Sequence, residues 1–139
     1  MTYTDRVVAY VTRERDGRRE LLVFDHRDEP GAGTQVPAGR LEPDEEIEPA
    51  LLRELHEEAG LEDVRIVRRL GVWNGVELGH GVGLRNHVYE LEAPGAPDAW
   101  EHTVFGDGDD AGFVFRYRWQ RLTPELRLWH GTDPVLAVL

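Results

Sequence analysis

The alternation of apolar and polar residues predicts a domain with many strands and one strong helix. The apolar run at 7–11 indicates a buried strand, and the Asp16-Gly17 pair predicts a hairpin turn into a second strand at 21–24. Four further strands are expected at 64–73, 82–91, 100–105 and 113–122. Strands of this number around one helix are typical of an α+β domain.

Turn-forming residues divide these elements from one another. Asn74-Gly75 predicts a turn, and the acidic segment 106–112 predicts a solvated turn between the last two strands. The segment 35–38 is expected to lead as a short strand into Gly39. Asp133-Pro134 resembles an N-cap and first helical residue, which predicts a short C-terminal helix at 134–138.

The strong helix is expected to start near Glu46 and to end at Gly60. Pro49 lacks a backbone N–H, so it is tolerated only in the first turn of a helix. Glycine after the last turn is a common helix end. The apolar stripe for the core is expected to consist of Leu51, Leu52, Leu55 and Ala59.

An acidic stripe lies beside the apolar one. Glu54, Glu57 and Glu58 are spaced i, i+3 and i+4, so they share one face of the helix. Three carboxylates so close repel one another unless a cation lies among them. Oxygen ligands suit a hard cation such as Mg²⁺ or Mn²⁺. The alternative is a solvated acidic helix face, which is the usual meaning of a charge run.

Composition limits the class of protein and its partners. The chain has 139 residues, which suits a single domain over 1–139. It has no cysteine, no apolar run of membrane-spanning length and no signal-peptide pattern, so a cytoplasmic location is expected. The net charge of −11 argues against nucleic-acid or membrane partners. A small phosphate-bearing substrate stays open, because a bound divalent ion can reverse the local charge.

The stretch 39–61, GRLEPDEEIEPALLRELHEEAGL, resembles the Nudix box of the Nudix hydrolase family. The box positions are filled by Gly39, Glu45, Arg53, Glu54, Leu55, Glu57, Glu58, Gly60 and Leu61. The resemblance implies an α/β/α sandwich with a mixed β-sheet. It also implies Mg²⁺- or Mn²⁺-dependent hydrolysis of a nucleoside diphosphate linked to another group X. One departure concerns helix entry, where Glu46 replaces a small hydroxyl cap and Pro49 replaces the acidic partner of a capping box.

The resemblance also implies roles for single residues. Glu57 and Glu58 are the expected metal ligands, with the Gly39 carbonyl as a further ligand. Glu54 is expected to be either a ligand or the general base, and Arg53 is expected to orient the glutamates. Glu45 is expected to support the site indirectly. Its alternative role is that of a first-turn acid stabilised by the helix dipole.

Family members often recruit a carboxylate from outside the box. Glu101 is the preferred candidate here, because it precedes a predicted hairpin near the sheet edge. The other candidates are Glu77, Asp107, Asp109 and Asp110. The turn at 106–112, which holds the three aspartates, is predicted to be solvated.

Group X is not specified by the box. Residues 74–79 lack the marks of the ADP-ribose and dinucleoside polyphosphate subgroups, which disfavours these substrates without excluding them. A nucleoside triphosphate or a nucleotide-sugar stays open. Trp73, Arg85 and His87 could contact the phosphate or base of this small molecule, although a core position for Trp73 and an exposed strand face for the other two are the default. A regulatory nucleotide-binding module without turnover is the alternative function. A homodimer also stays open. An isomerase of the same fold would be expected to use a cysteine, which this chain lacks.

Overall fold

The structure is a computed structural model that describes residues 3–76, 83–128 and 139. Within these residues the chain forms seven strands, one α-helix and one 3₁₀ turn at Pro30–Ala32. The elements are β1 Tyr3–Arg15, β2 Arg18–His26, β3 Ala38–Arg40, α1 Ile47–Ala59, β4 Arg65–Val76, β5 Gly83–Glu92, β6 Ala99–Thr103 and β7 Val114–Arg121. The helix predicted at 134–138 lies outside the described residues.

The described strands form one mixed sheet in the order β4-β5-β1-β2-β7-β6, with β3 paired to β1. β1 runs parallel to β5 and antiparallel to β2 and β3. The long β1 can serve all three partners because its last four residues pair with β2 and its earlier residues pair with the other two. The α+β fold with a mixed sheet is therefore confirmed.

Successive side chains of β1 point to opposite faces of the sheet, so they join two different apolar clusters. Val7 and Val11 join the cluster that contains Leu51 and Leu55 of α1. Val8 and Tyr10 join the second cluster, which also holds Leu128. Leu51 and Leu55 are almost fully buried, and each such side chain contributes roughly 1.5–3 kcal/mol when it leaves water. Helix α1 is thus fixed against the sheet by one edge.

The first hairpin is confirmed. Asp16 and Gly17 both have positive φ, 54° and 75°, as a type I′ turn requires. Two other predictions are wrong. Asn74 and Gly75 do not form a turn but continue β4. They pair with Arg85 and Leu84 of β5, so the chain stays extended through the predicted turn. Leu52 is 39% exposed, which leaves a narrower apolar stripe on α1.

No helix among the described residues is long and apolar enough to cross a membrane.

Candidate active site

Both ends of helix α1 are set by residues that the sequence predicts. Glu46 is the N-cap, in extended conformation and without a side-chain cap bond, as its sequence predicts. Pro49 falls in the first turn. At the other end Gly60 adopts the left-handed conformation with φ 72°. This conformation suits glycine and terminates the helix directly after the last carboxylates.

The last backbone carbonyls of α1 are bonded by the hairpin of β6 and β7. Residues 57–59 accept four hydrogen bonds at their carbonyl oxygens. The His102 imidazole donates from Nε2 at 2.9 Å and the Phe105 N–H at 3.2 Å, both to residue 57. The Tyr117 hydroxyl donates to residue 58 at 2.8 Å, and the Trp100 indole donates to residue 59 at 2.9 Å. The hairpin therefore fixes the end of α1 that carries the acidic side chains.

Tyr117→Phe is expected to lower the free energy of unfolding by about 1–3 kcal/mol, because the buried Glu58 carbonyl loses its donor. Urea denaturation followed by circular dichroism measures the loss. Tyr3→Phe is the control, since Tyr3 is 43% exposed and its loss of a hydroxyl should change stability by less than about 0.5 kcal/mol. Equal midpoints for both variants would contradict a capping role for Tyr117.

The backbone of β3 lies against two carboxylates. A Cβ atom at Gly39 would stand 2.1 Å from Cδ of Glu54, so only glycine leaves room for this carboxylate. The Ala38 N–H donates to Oε1 of Glu58 at 3.3 Å. The strand lies at Ala38–Arg40, later than the predicted 35–38, and it brings backbone groups directly to the acidic face of α1.

Arg53 binds three glutamates at once. Its Nε and Nη2 donate to the two carboxylate oxygens of Glu45 at 2.7 and 2.8 Å. Its Nη1 donates to Glu54 and Glu57 at 3.0 Å each. The hydrogen bond with Arg53 lowers the pKa of Glu45, and the same bond raises the pKa of Arg53. Arg53 therefore holds Glu54 and Glu57 in a fixed orientation while Glu45 holds Arg53.

Glu54 and Glu58 are buried carboxylates, and Arg53 bonds only the first of them. They are 9% and 5% exposed. Burial raises the pKa of Glu58 well above its usual range, and the neighbouring charge of Glu54 adds to this shift. Burial also raises the pKa of Glu54, against the attraction of Arg53. A nearby cation would stabilise the ionised form of both carboxylates.

The donor set fits a hard divalent cation. Every candidate ligand offers oxygen, namely the carboxylates of Glu54, Glu57 and Glu58 and the carbonyl of Gly39. Across the described part of the chain, no three acidic or histidine side chains converge in the geometry of a metal cluster, and Arg53 instead bridges Glu54 and Glu57. A bound cation would therefore compete with Arg53 for the oxygens of Glu54 and Glu57.

Without metal, the fold is expected to be more stable at pH 5 than at pH 8. A carboxyl group whose pKa is raised by folding stabilises the protein below its unfolded pKa, and this contribution disappears as pH rises through the folded pKa. Glu58 behaves in this way, and Glu54 adds to the trend. Carboxylates with lowered pKa, such as Glu45, remain ionised across this window.

Melting temperatures in EDTA from pH 5 to 8 test this expectation. The wild type should lose at least about 3 °C, the shift that roughly 1 kcal/mol produces in a domain of this size. Glu58→Gln should show a flatter profile. A wild-type profile that rises towards pH 8, or one that Glu58→Gln reproduces, would contradict the assignment.

An open cavity of about 820 Å³ lies over these side chains. Its acidic wall is formed by Glu54, Glu57 and Glu58, with Gly39 beside them. Arg6 of β1 also faces it, and so does the acidic turn at 107–110. Trp73, Gly75, Leu84 and Asn86, on β4 and β5, also line it. The arrangement can hold an anionic, partly aromatic molecule next to the carboxylates.

The structure does not bring Glu101 into this group. Glu101 is on β6, where it accepts a bond from Arg116 at 2.6 Å and lies 3.6 Å from Arg27. It is absent from the described lining of the cavity. Asp107, Asp109 and Asp110 do line it, and most of their turn is exposed to solvent, as predicted. Only the pairing of β6 with β7 places this turn beside α1, and no local sequence signal carries that information.

Arg6 was not predicted as a site residue. This residue precedes an apolar strand run and has no motif around it. The sequence marks Arg6 only as a charged residue directly before the apolar run of a buried strand. Glu77 lies outside the described residues.

Comparison with known proteins decides the family. The model of the NUDIX domain matches residues 2–137. The chain belongs to the NUDIX family. The resemblance carried by residues 39–61 is thereby confirmed. No curated protein sequence gives a significant match.

Solved NUDIX structures have the same fold. A MutT NUDIX hydrolase from Burkholderia pseudomallei is 22% identical, covers 99% of this chain and 98% of its own, and gives a TM-score of 0.62. A C. elegans Ap4A hydrolase binary complex is 17% identical over 96% of this chain and 93% of its own, with a TM-score of 0.66. The NUDIX domain of Shewanella oneidensis NrtR with ADP ribose is 16% identical over 99% and 85%, with a TM-score of 0.65. At these identities the likeness concerns the fold alone.

Proposed function

We propose that this NUDIX protein is a divalent-metal-dependent pyrophosphohydrolase that cleaves the diphosphate linkage of a nucleoside diphosphate joined to a group X. The observation that carries the proposal is the pair of buried carboxylates, Glu54 and Glu58, against the β3 backbone at Gly39. Glu57 stands beside them in the same cavity. Carboxylates at this density are costly to bury without a cation, so a metal-binding role accounts for them.

Each residue has a role in this mechanism. Glu57, Glu58 and the Gly39 carbonyl would hold Mg²⁺ or Mn²⁺. The cation supplies neutralisation of phosphate charge and a lowered pKa for the attacking water. Glu54 serves as a further ligand or as the general base, since its carboxylate lines the cavity beside Glu57 and Glu58. Arg53 positions Glu54 and Glu57 through its two 3.0 Å bonds.

A panel of nucleoside triphosphates, nucleotide-sugars and dinucleoside polyphosphates tests the proposal. Each compound is incubated with Mg²⁺, with Mn²⁺ and with EDTA, and release of the nucleoside monophosphate is measured. Turnover that requires the metal supports the proposal. Binding without any turnover would overturn it in favour of a regulatory nucleotide-binding module.

Glu101→Gln is expected to change kcat/KM by less than about twofold and to leave the pH–rate profile unchanged, since Arg116 and Arg27 engage this carboxylate away from the cavity lining. Asp110→Asn is the comparison, because Asp110 lines the cavity and acts electrostatically on Glu58. We expect the larger loss for Asp110→Asn. A shifted pH–rate profile for Glu101→Gln would instead make Glu101 a proton-transfer group.

We further propose that residues 1–139 act as a single domain, which the family match over residues 2–137 supports. The homodimer and the cytoplasmic location remain predictions. Sedimentation analysis of the purified protein tests the first of these.

A further inference from the structure

Four residues of the cavity lining belong to the paired strands β4 and β5. Trp73 of β4 pairs with Asn86 of β5, and Gly75 pairs with Leu84. Directly paired residues of antiparallel strands lie on the same face of the sheet. All four residues line the cavity. This part of the lining is therefore a surface built by the register of β4 and β5.

Trp73 differs from two other tryptophans of the chain. Trp100 and Trp119 pack against the core cluster around α1, and both donate their indole N–H to backbone carbonyls. Among the described residues, Trp73 belongs to neither core cluster and its indole N–H has no such acceptor. Its ring lies along the strand, because Gly75 leaves space for it: a Cβ there would be 3.0 Å from the ring atom Cζ3. Trp73 is thus a half-buried aromatic surface in a polar cavity.

Asn86 is bonded to the backbone of Trp73. Its Nδ2 donates to the backbone carbonyl of Trp73 at 3.1 Å, which fixes the orientation of the amide. Asn86 is 1% exposed, and its Oδ1 has no hydrogen-bond partner among the described residues. A buried acceptor without a partner is rare in proteins outside functional sites.

Arg6 is the next residue across the sheet. It is the register partner of Asn86 on one side and of Arg40 on the other. Within the described residues no carboxylate forms an ion pair with its guanidinium, although the charges of Glu54, Glu58 and Asp110 act on it. A guanidinium without a bound carboxylate is a ready partner for phosphate oxygens.

These residues form one row across the sheet: Trp73, Asn86, Arg6 and Arg40 on β4, β5, β1 and β3. Neighbouring strands lie about 4.8 Å apart, so the backbones of Arg6 and Trp73, two strands apart, are separated by roughly 10 Å. That separation is on the scale of one nucleoside, from base to 5′-phosphate. The row ends at β3, whose Gly39 touches Glu54.

We propose that this row is the nucleotide subsite of the cavity. The base stacks on Trp73, and Arg6 binds the phosphate attached to the ribose, so that the diphosphate bridge extends over Glu54, Glu57 and Glu58. The nucleoside end of the substrate, and not its group X, accordingly lies against β4. This assignment rests on the proposed function for the bond that breaks, while the binding step stands independently of turnover.

The test measures binding of two probes in the presence of Mg²⁺. One probe is α,β-methylene-ADP, which has a base and resists cleavage of its bridge. The other is methylenediphosphonate, which has the bridge without a nucleoside. Trp73→Leu should weaken the nucleotide probe about tenfold, the scale of one lost stacking contact, and leave the base-free probe unchanged. Arg6→Gln should weaken the nucleotide probe by a similar factor.

Controls separate the subsite from general damage. Trp119→Phe, which alters a tryptophan packed against the core and outside the described cavity lining, should leave both affinities unchanged. Trp73→Phe retains an aromatic ring, so it should keep affinity within about threefold and abolish the quenching of tryptophan fluorescence by the nucleotide. This second variant provides the decision if Trp73→Leu does not fold.

The outcomes distinguish the two proposals. Equal weakening of both probes by Trp73→Leu, or quenching that persists in Trp73→Phe, would overturn the subsite while leaving hydrolysis in place. Trp73-dependent binding in a protein that hydrolyses no compound of the panel would overturn the proposed function and support the subsite.

Discussion

Glu57→Gln is expected to lower kcat/KM for metal-dependent diphosphate hydrolysis by at least about a hundredfold without unfolding the protein. The substitution removes one negative charge and almost no volume. Loss of a charged ligand weakens both cation binding and the stabilisation of phosphate charge during the reaction. The effect should exceed the 10- to 100-fold that is typical of groups one step removed from a metal.

The surroundings of Glu57 explain why the fold should survive. Its side chain is only partly buried, and its carboxylate accepts a bond from Arg53 at 3.0 Å. Glutamine keeps an acceptor oxygen for this bond. A Cβ at Gly106 would lie 2.5 Å from Cδ of Glu57, so the pocket around this side chain is tight and favours an isosteric replacement.

Glu48→Gln is the matched control for this experiment. Glu48 is an exposed residue in the first turn of the same helix, far from the last turns that carry the acidic wall. It should leave kcat/KM within about twofold. Titration with Mn²⁺ gives a second measurement, in which Glu57→Gln binds the ion more weakly than Glu48→Gln. Near-normal turnover of Glu57→Gln would refute Glu57 as a ligand.

Local signals were sufficient for the part of the site on α1. Pro49 can stand only in a first turn, and Gly60 readily adopts the left-handed conformation, so both ends of the helix could be predicted to within one residue. The spacing of the glutamates then follows from 3.6 residues per turn. The arginine bridge between Glu54 and Glu57 also follows, since Arg53 lies four residues before Glu57.

The site residues outside α1 are placed by pairing between strands that are distant in sequence. Asn74-Gly75 has the composition of a turn, but the ladder with β5 extends through it. Glu101 and Asp110 lie on one hairpin and look equally suitable in sequence, yet only Asp110 reaches the cavity. Arg6 becomes a site residue solely because β1 runs between β3 and β5. Such information is carried by the register of the sheet and not by any short stretch of residues.

Gly39→Ala is the second substitution with a large expected effect, because it adds one methyl group where a carboxylate already lies. The new Cβ would be 2.1 Å from Cδ of Glu54 and 2.3 Å from each of its oxygens. Strand β3 cannot retreat easily, since the Ala9 N–H donates to the Pro37 carbonyl and the Leu41 N–H donates to the Asp5 carbonyl on either side of Gly39. Glu54 must therefore move.

Displacement of Glu54 should lower kcat/KM by about a hundredfold or more, as misplacement of a catalytic group by about 1 Å does in other enzymes. The Gly39 carbonyl remains in the variant, so the loss would report on Glu54 and not on a missing backbone ligand. Gly95→Ala is the control, because a Cβ at Gly95 meets nothing within 4 Å. It should retain full activity and an unchanged melting temperature.

A double variant separates displacement of the carboxylate from general damage to β3. Glu54→Asp shortens the side chain by one methylene, which withdraws the carboxylate from the added methyl group. Combined with Gly39→Ala, it should restore the melting temperature that Gly39→Ala alone lowers, but not the turnover, because the carboxylate no longer reaches its place beside Arg53. Full activity of Gly39→Ala, or a melting temperature that Glu54→Asp fails to restore, would show that the contact between Gly39 and Glu54 does not set the position of this carboxylate.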